Sequence, residues 1–208
     1  MKTVVLDNPL IKHKLTILRN KDTGTKEFRE LVNEISMFVC YEAMRDTKLD
    51  KIKIETPMQK TDGYILDENN YAFIPILRAG IGMIDGLIKI LPNAKIGHIG
   101  LYRNEETLEP VKYYYKVPKE IEKREVFLLD PMLATGGSAV AAIKMLKDEG
   151  VKKIKFLCII SAPEGIKRIN EEHPDVEIYT ASIDECLNEI GYIVPGLGDA
   201  GDRIFGTK

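Results

Sequence analysis

Cysteine and histidine are both scarce in this chain of 208 residues, which has three of each. The cysteines are widely spaced and odd in number, which favours a reducing compartment and small buried side chains over disulfides or a metal site. The histidines show none of the short spacings typical of metal ligands, so we interpret each as a surface residue or a hydrogen-bonded core residue. These residues are Cys40, Cys158, Cys186, His13, His98 and His173.

An excess of charge and long apolar runs are also missing. The formal net charge is -2, and no cluster of lysine and arginine is long enough to predict a nucleic-acid-binding surface. No stretch approaches the length of apolar residues that a membrane span needs, and the first apolar run is too short for a signal peptide. We therefore expect a cytoplasmic protein with neither a nucleic acid nor a membrane as partner.

The apolar pattern from Tyr71 onward predicts an α/β fold. Apolar stretches typical of buried strands alternate with helical stretches, and this alternation predicts a mostly parallel central sheet flanked by helices. The strand stretches include YAFIPIL, KIGHIGLY, VFLLD and KIKFLCIISA, and IGMIDGLIKIL is a predicted helix. Ligands of such sheets bind at the carboxyl ends of the strands.

The N-terminal third has a different pattern. Helices are predicted to begin at Asn8-Pro9 and at Thr25. Lys51–Glu55 alternates as a strand that Gly63–Leu66 could pair with, which predicts a β-hairpin arm. The length suits a single domain over residues 1–208: N-terminal helices and arm (1–70), an α/β core (71–184) and a C-terminal segment (185–208).

The stretch VFLLDPMLATGGS, residues 126–138, carries the strongest functional signal. Four apolar residues predict a strand buried on both faces, Asp130 follows at its end, and a glycine turn leads into a helix predicted from Ala139. Such a turn places backbone N–H groups and the positive end of a helix dipole around one point. We interpret it as a phosphate site with a carboxylate nearby, although ordinary strand-to-helix turns are often glycine-rich as well.

Two other phosphate motifs do not fit. A Walker loop needs lysine where this chain has Gly137, so the main cation of an ATP site is missing. The glycine string at Gly196, Gly198 and Gly201 has too few residues after it for the helix and second strand of a dinucleotide site. We interpret this string as a loop whose backbone approaches a ligand closely. Arg78, at another strand end, suits a second phosphate group.

The segment from Tyr102 to Pro110 lies between two predicted strands and is polar and charged at its tip. On composition alone, a solvent-exposed hairpin is the favoured interpretation. A mobile lid over an active site would have the same composition.

Several segments together resemble the bacterial uracil phosphoribosyltransferases, a branch of the type I phosphoribosyltransferase family. They are PILRAGIGMIDG, YRNEETLEP, DPMLATGGSA, APEG, HPDVEIYTASID and, most specific of all, GYIVPGLGDAGDRIFGTK. Many type I members have two adjacent acids after the motif strand, whereas Pro131 follows Asp130 here, as in the uracil branch. The change puts a second motif carboxylate, and a direct carboxylate clamp on a metal, in doubt.

The resemblance implies transfer of the 5-phosphoribosyl group from phosphoribosyl diphosphate (PRPP) to uracil, giving UMP and diphosphate. It also implies Mg²⁺ held mainly by PRPP and water, a homo-oligomer, and allosteric activation by GTP. Asp130, Arg103 and Asp199 would be catalytic, and Ile193, Gly198, Asp199 and Ala200 would bind uracil. The implied PRPP-binding residues are Arg78, Arg103, Asp130, Pro131, Met132, Leu133, Ala134, Thr135, Gly136, Gly137, Ser138 and Asp199.

Two alternatives stay open on the sequence. Some regulators of pyrimidine operons share this fold and bind RNA, and the lack of a basic patch argues against that role here. A purine or orotate phosphoribosyltransferase is the enzymatic alternative, and the C-terminal segment argues against it.

Overall fold

The structure is a computed structural model that describes residues 2–103 and 110–207, with only the backbone of Arg103 and Pro110. The helices are α1 (Pro9–Arg19), α2 (Thr25–Ala43), α3 (Ile81–Ile88), α4 (Gly137–Asp148), α5 (Pro163–Glu172) and α6 (Ala200–Phe205). The strands are β1 (Thr3–Val5), β2 (Asp50–Glu55), β3 (Lys60–Ile65), β4 (Tyr71–Leu77), β5 (Lys95–Ile96), β6 (His98–Arg103), β7 (Pro110–Lys116), β8 (Glu125–Leu129), β9 (Met132–Leu133), β10 (Lys153–Ser161), β11 (Glu177–Ile183), β12 (Cys186–Leu187) and β13 (Ile193–Val194).

The central sheet has the strand order β1-β11-β10-β8-β4-β6-β7, with β5 added to β4 and β9 added to β10. Its pairings are parallel except for the antiparallel pair β6–β7. The predicted mostly parallel sheet is therefore confirmed. β8 lies between β10 and β4, so Asp130, the residue that follows β8, comes at the middle of the carboxyl edge.

The core consists of two apolar layers, one on each face of the sheet. Phe127 and Leu129 of β8 belong to the layer under α1, α2 and α3, whereas Val126 and Leu128 belong to the layer under α4 and α5. A parallel strand covered on both faces needs apolar residues at every position. This requirement explains the unbroken apolar run that precedes Asp130.

The predicted β-hairpin arm is present. β2 and β3 pair antiparallel over Asp50–Glu55 and Lys60–Ile65 and form a two-stranded sheet of their own. The pairing brings Lys51 and Lys53 to Asp62, with Lys51 Nζ 2.7 Å from its carboxylate. Large apolar side chains of this hairpin remain exposed, Met58 the most of all at 91%.

Some predictions about elements were wrong. α3 ends at Ile88 instead of continuing through KIL. The stretch KIGHIGLY, predicted as one strand, forms the two strands β5 and β6 with Gly97 between them. A Cβ at Gly97 would lie 2.8 Å from the carbonyl oxygen of Lys116, so no larger residue fits there. α4 begins at Gly137 rather than Ala139.

Two other features also depart from the sequence interpretation. Residues 200–205 form the short helix α6 in a segment interpreted as a loop. Cys40 and Cys158 are buried as expected, whereas Cys186 is exposed. None of the helices in the described part of the chain is long and apolar enough to cross a membrane.

Candidate active site

Three segments meet at the carboxyl edge of the sheet, as the surroundings of their glycines show. A Cβ at Gly80, in the turn after β4, would lie 2.5 Å from the carbonyl oxygen of Leu129 at the end of β8. A Cβ at Gly201 would lie 4.0 Å from Nη2 of Arg78, and one at Gly191 would lie 3.6 Å from Cγ2 of Thr135. The structure therefore brings the predicted PRPP-binding and uracil-binding segments together.

Asp130 is the residue directly after β8. Its Oδ1 accepts a hydrogen bond from the N–H of Met132 at 3.2 Å, which turns the carboxylate back over the loop. Although part of the residue reaches solvent, desolvation of the carboxyl group, helped by the nearby charge of Asp199, raises the pKa of Asp130 to about 7. At neutral pH such a carboxyl group is only partly ionised. Strongly shifted pKa values of this kind are typical of functional sites.

The glycine turn between β9 and α4 has the geometry of an anion site. Gly136 precedes the helix with φ 78°, a conformation that favours glycine, and as the N-cap it has no side chain to accept from the first N–H groups of α4. Thr135 is partly exposed and Ser138 is exposed. The N–H groups at the helix start, two hydroxyls and the positive end of the helix dipole thus lie together where a phosphate could bind.

The structure adds Arg168, which the sequence analysis did not single out. A Cβ at Gly137 would lie 3.3 Å from Nη1 of Arg168, and one at Gly136 would lie 3.3 Å from Cβ of Arg168. Nε of Arg168 pairs with Glu172 at 3.0 Å, one turn further along α5. The guanidinium is half exposed and lies beside the glycine turn.

The contact follows from the close packing of α5 on the turn. A Cβ at Gly165 would lie 2.4 Å from the carbonyl oxygen of Ala134, so only glycine allows this approach. Gly165 lies in the first turn of α5 and belongs to the segment APEG quoted above. It is the one sequence signal that this helix borders the glycine turn.

Arg78 follows β4 through a cis Leu77–Arg78 peptide bond. Its guanidinium lies 5.7 Å from the ring centre of Phe205, and its Nη2 lies 3.6 Å from Oδ1 of Asp202. More than half of the side chain, 58%, is exposed. The cation is thus held loosely by α6 and remains accessible to a ligand at the strand ends.

The predicted uracil-binding residues lie in the segment that follows β12. Ile193 is buried in β13 and Ala200 is buried at the start of α6, whose N-cap Asp199 accepts a hydrogen bond from Asp202 N–H at 2.9 Å. Gly198 has φ 82°. A cavity of about 430 Å³ borders this segment, lined by residues that include Gly198, Asp199, Tyr192, Arg19 and Arg203.

Arg103 ends β6, where the structure describes its backbone. The side chain of Arg103 and residues 104–109 lie outside the described residues. The prediction of a lid that carries Arg103 therefore remains a prediction.

A magnesium ion bound by protein alone would need several oxygen ligands close together. Among residues 2–103 and 110–207, no group of three or more His, Cys, Asp or Glu side chains could hold a metal ion. Two single carboxylates, that of Asp130 at the end of β8 and that of Asp199 at the N-cap of α6, could still contact water molecules of a magnesium ion that a diphosphate carries. This arrangement fits Mg²⁺, which keeps several waters and binds substrate phosphates.

Comparison with known proteins gives a consistent result. A family model described as uracil phosphoribosyltransferase matches residues 5–207. A uracil phosphoribosyltransferase of Clostridium botulinum (strain Eklund 17B / Type B) is 60% identical over 207 residues, which are 100% of this chain and 99% of the relative. Another, of Dictyoglomus thermophilum, is 62% identical over 205 residues, with 99% of each chain covered.

Solved structures share the fold. The AQ2163 protein from Aquifex aeolicus has a TM-score of 0.92 and 42% identity, and 99% of each chain is covered. A hypoxanthine-guanine phosphoribosyltransferase from Bacillus anthracis has a TM-score of 0.53 and 14% identity, with 77% of this chain and 80% of that chain covered. At that identity the likeness shows the fold alone, and the predicted type I phosphoribosyltransferase fold is confirmed.

Proposed function

Because the chain belongs to the uracil phosphoribosyltransferase family, we propose that the site at the carboxyl edge of its sheet makes UMP and diphosphate from uracil and PRPP. In this reaction the bond between ribose C1 and the diphosphate oxygen breaks, a bond from C1 to uracil N1 forms, and N1 loses its proton. The observation that carries the proposal is the convergence of Asp130, Arg78 and the C-terminal segment at one edge.

Asp130 and Arg78 suit the charge separation of this reaction. As diphosphate leaves, positive charge develops on the ribose and negative charge on the leaving group. We place the ribose hydroxyls on the Asp130 carboxylate, where its ionised form stabilises the developing cation. Arg78, accessible and only loosely paired, binds the diphosphate, and Arg103 joins it from the lid.

The 5′-phosphate occupies the glycine turn in this proposal. Residues 134–138 surround it with N–H groups and with the hydroxyls of Thr135 and Ser138, a placement that the glycine N-cap of α4 supports. Arg168 supplies a cation from the side of α5, at the distance from Gly137 given above. Both ends of PRPP thus meet positive potential, and the ribose lies between them.

Uracil is read by the backbone of residues 193–200, of which Ile193, Gly198, Asp199 and Ala200 form the base site. Glycine and buried apolar residues leave few side chains to hydrogen-bond a base, so backbone N–H and C=O groups recognise its edge. Asp199 lies in the base segment and its charge acts on Asp130, so we assign it to the PRPP site and the uracil site together.

Three further parts of the proposal rest on the family alone. Mg²⁺ bound to the diphosphate, held mainly by substrate oxygens and water, would neutralise charge on the leaving group. Activation by GTP and assembly into a homo-oligomer are proposed with it, as is a cytoplasmic location.

The direct test is a screen of free bases with PRPP and Mg²⁺, measured by diphosphate release. Uracil is expected to give release and UMP, whereas adenine, hypoxanthine, guanine and orotate are expected to give little. Release with a purine or with orotate in preference to uracil would contradict the proposed substrate. Omission of Mg²⁺ in the same assay tests the cofactor.

A further inference from the structure

A buried ion pair lies directly behind the proposed uracil segment. Asp184, between β11 and β12, has a side chain only 1% exposed, and Arg19, the last residue of α1, has one 22% exposed. Nη1 of Arg19 donates to Oδ2 of Asp184 at 2.6 Å, and Nη2 donates to Oδ1 at 2.5 Å. The two planar groups therefore form a two-pronged, charge-assisted pair, the strongest geometry such groups offer.

The pair holds both backbone groups of Gly196. Nη1 of Arg19 donates to the carbonyl oxygen of Gly196 at 2.7 Å, and the N–H of Gly196 donates to Oδ2 of Asp184 at 2.9 Å. Gly196 has φ 64°, and a Cβ there would lie 2.1 Å from the carbonyl oxygen of Ile193. The ion pair thus fixes a backbone conformation that only glycine can adopt here.

The hydroxyl of Ser182 contacts both members of the ion pair. Ser182 Oγ donates to Oδ1 of Asp184 at 3.0 Å, and Nη2 of Arg19 lies 3.2 Å from the same Oγ. Burial alone would raise the pKa of Asp184, but the hydrogen bonds and charge of Arg19 outweigh it and keep that pKa below its usual value. The carboxylate of Asp184 is therefore ionised at neutral pH, so the ion pair with Arg19 is formed at that pH.

A second guanidinium acts on the next residue of the segment. Nη1 of Arg203 donates to the carbonyl oxygen of Leu197 at 2.9 Å, while Nη2 reaches the carbonyl oxygen of Asn20 at 2.6 Å. Arg203 also lies 4.3 Å above the ring of Phe28. Two consecutive carbonyl groups, those of Gly196 and Leu197, are thus tied by cations to the chain around the end of α1.

Fixed carbonyls matter because a backbone can discriminate bases only if it cannot adjust. If a glycine-containing segment moved by a few tenths of an ångström, its N–H could turn away from the base. A base with a donor where uracil has an acceptor could then bind. Gly196 and Gly198 have no side chains to prevent such movement. Their rigidity has to come from neighbouring groups that hold the backbone directly.

We propose that Arg19 and Asp184 are positioning residues for base selection, which hold the backbone of Gly196 so that the following residues present a fixed pattern to uracil. The proposal rests on the assignment of residues 193–200 as the uracil site. Neither side chain needs to touch the base. Their effect is expected on uracil affinity and on discrimination against cytosine, with little effect on PRPP.

The main test is Asp184→Asn. Asparagine keeps the size of the side chain, but its NH₂ group faces a donor, either Nη2 of Arg19 or the N–H of Gly196. We expect KM for uracil to rise about 10-fold or more, KM for PRPP to change less than about 2-fold, and the uracil-to-cytosine ratio of kcat/KM to fall about 10-fold. Arg19→Lys, which keeps the charge but loses the two-pronged geometry, should shift the same parameters in the same direction.

Glu42→Gln is the control, since Glu42 on α2 forms a two-pronged pair with Arg45, just beyond the end of that helix and outside the uracil segment. It should leave the base ratio unchanged. A purely structural role for Arg19 and Asp184 predicts a lower melting temperature with an unchanged base ratio, and that result would overturn the proposal. Equal shifts in KM for uracil and PRPP would overturn it too.

Two further outcomes are separable. If Asp184→Asn does not fold, Arg19→Lys and the milder Ser182→Ala decide, and wild-type base ratios in both variants reject the inference. If the wild-type protein prefers another base to uracil, the proposed function itself fails. Preference for uracil in the wild type together with unchanged ratios in the variants rejects the positioning role alone.

Discussion

The guanidinium of Arg168 borders the glycine turn at Gly137: a Cβ at Gly137 would lie 3.3 Å from Nη1 of Arg168. If a 5′-phosphate occupies that turn, Arg168→Ala removes one charge-assisted contact. We expect KM for PRPP to rise about 5- to 20-fold, with KM for uracil nearly unchanged. Lys167→Ala is the control, because Lys167 pairs with Glu171 just as Arg168 pairs with Glu172, at i and i+4 on the same helix. Equal effects of both variants would indicate a general charge effect.

Asp130→Asn should reduce turnover by about 10²-fold or more, since it removes the charge opposite the developing cation and keeps the shape of the side chain. Binding of PRPP, measured separately, should weaken much less than turnover falls. Near-normal kcat in the variant would make Asp130 a structural residue.

The pH dependence of the free enzyme should reflect the same carboxyl group. Because the pKa of Asp130 is raised to about 7, the ionised form becomes dominant only above that pH. We expect kcat/KM for PRPP to rise as the pH increases through about 7, and this limb to be absent from the residual activity of Asp130→Asn. An acid limb that stays in the variant would assign it to another group.

The raised pKa also predicts a stability effect. Between the ordinary value of 3.8 and about 7, the folded state binds a proton that the unfolded state has lost, so stability falls as the pH rises through this window. Above pH 7 the folded protein bears the full cost of the desolvated charge. Asp130→Asn should therefore raise the free energy of unfolding more at pH 8 than at pH 5. The difference is at most about 3 kcal/mol, because only the window from pH 5 to about 7 contributes, and thermal unfolding of both proteins at the two pH values measures it. A larger gain at pH 5 would contradict this sign.

Base discrimination tests readout by the backbone. The edge of uracil presents acceptor, donor, acceptor, whereas cytosine presents donor, acceptor, acceptor, so two positions mismatch a fixed backbone. Each mismatch costs about 1–3 kcal/mol, and sites of this kind can reject the wrong analogue by about 10⁴-fold. We expect uracil and 5-fluorouracil to react with similar kcat/KM and cytosine to react far more slowly. Comparable values for cytosine and uracil would reject the assignment of residues 193–200.

Arg103→Ala tests the lid. If Arg103 contacts the diphosphate, the variant should raise KM for PRPP and weaken inhibition by diphosphate, while KM for uracil stays the same. A solvated hairpin predicts no kinetic change. Steady-state kinetics in both substrates, with Arg124→Ala on the opposite edge of the sheet as a control, separate the two.

Local patterns predicted the parts of the site that are continuous in sequence. The apolar run of β8 predicts a strand buried on both faces, and Asp130 follows it as the first polar residue. The turn after it was equally visible, because glycines and a helix start leave a local pattern. The start of α4 was predicted at Ala139, two residues after its actual start at Gly137. Gly137 is a weak helix former, and packing rather than local propensity sets its position in the helix.

Contacts between distant residues left no such pattern. Arg19 and Asp184 are 165 positions apart, and each looks like an ordinary polar residue at the end of an element. α6 was missed because glycine at positions 198 and 201 suggests a loop, although Asp199 as N-cap and Gly206 with φ 67° at the other end are ordinary helix signals. Short helices of this kind depend on tertiary contacts, here that of Ile204 with Gly82.

The close approach of Gly80 to Leu129 also sets a length. Because no side chain can enter between these backbones, the ends of β4 and β8 cannot move apart or together without breaking the sheet. The positions of Arg78 and of the glycine turn, where we propose that the two phosphate ends bind, are therefore fixed relative to each other. In the proposed function, PRPP would bind both positions only if the distance between its two phosphate ends matches this fixed separation.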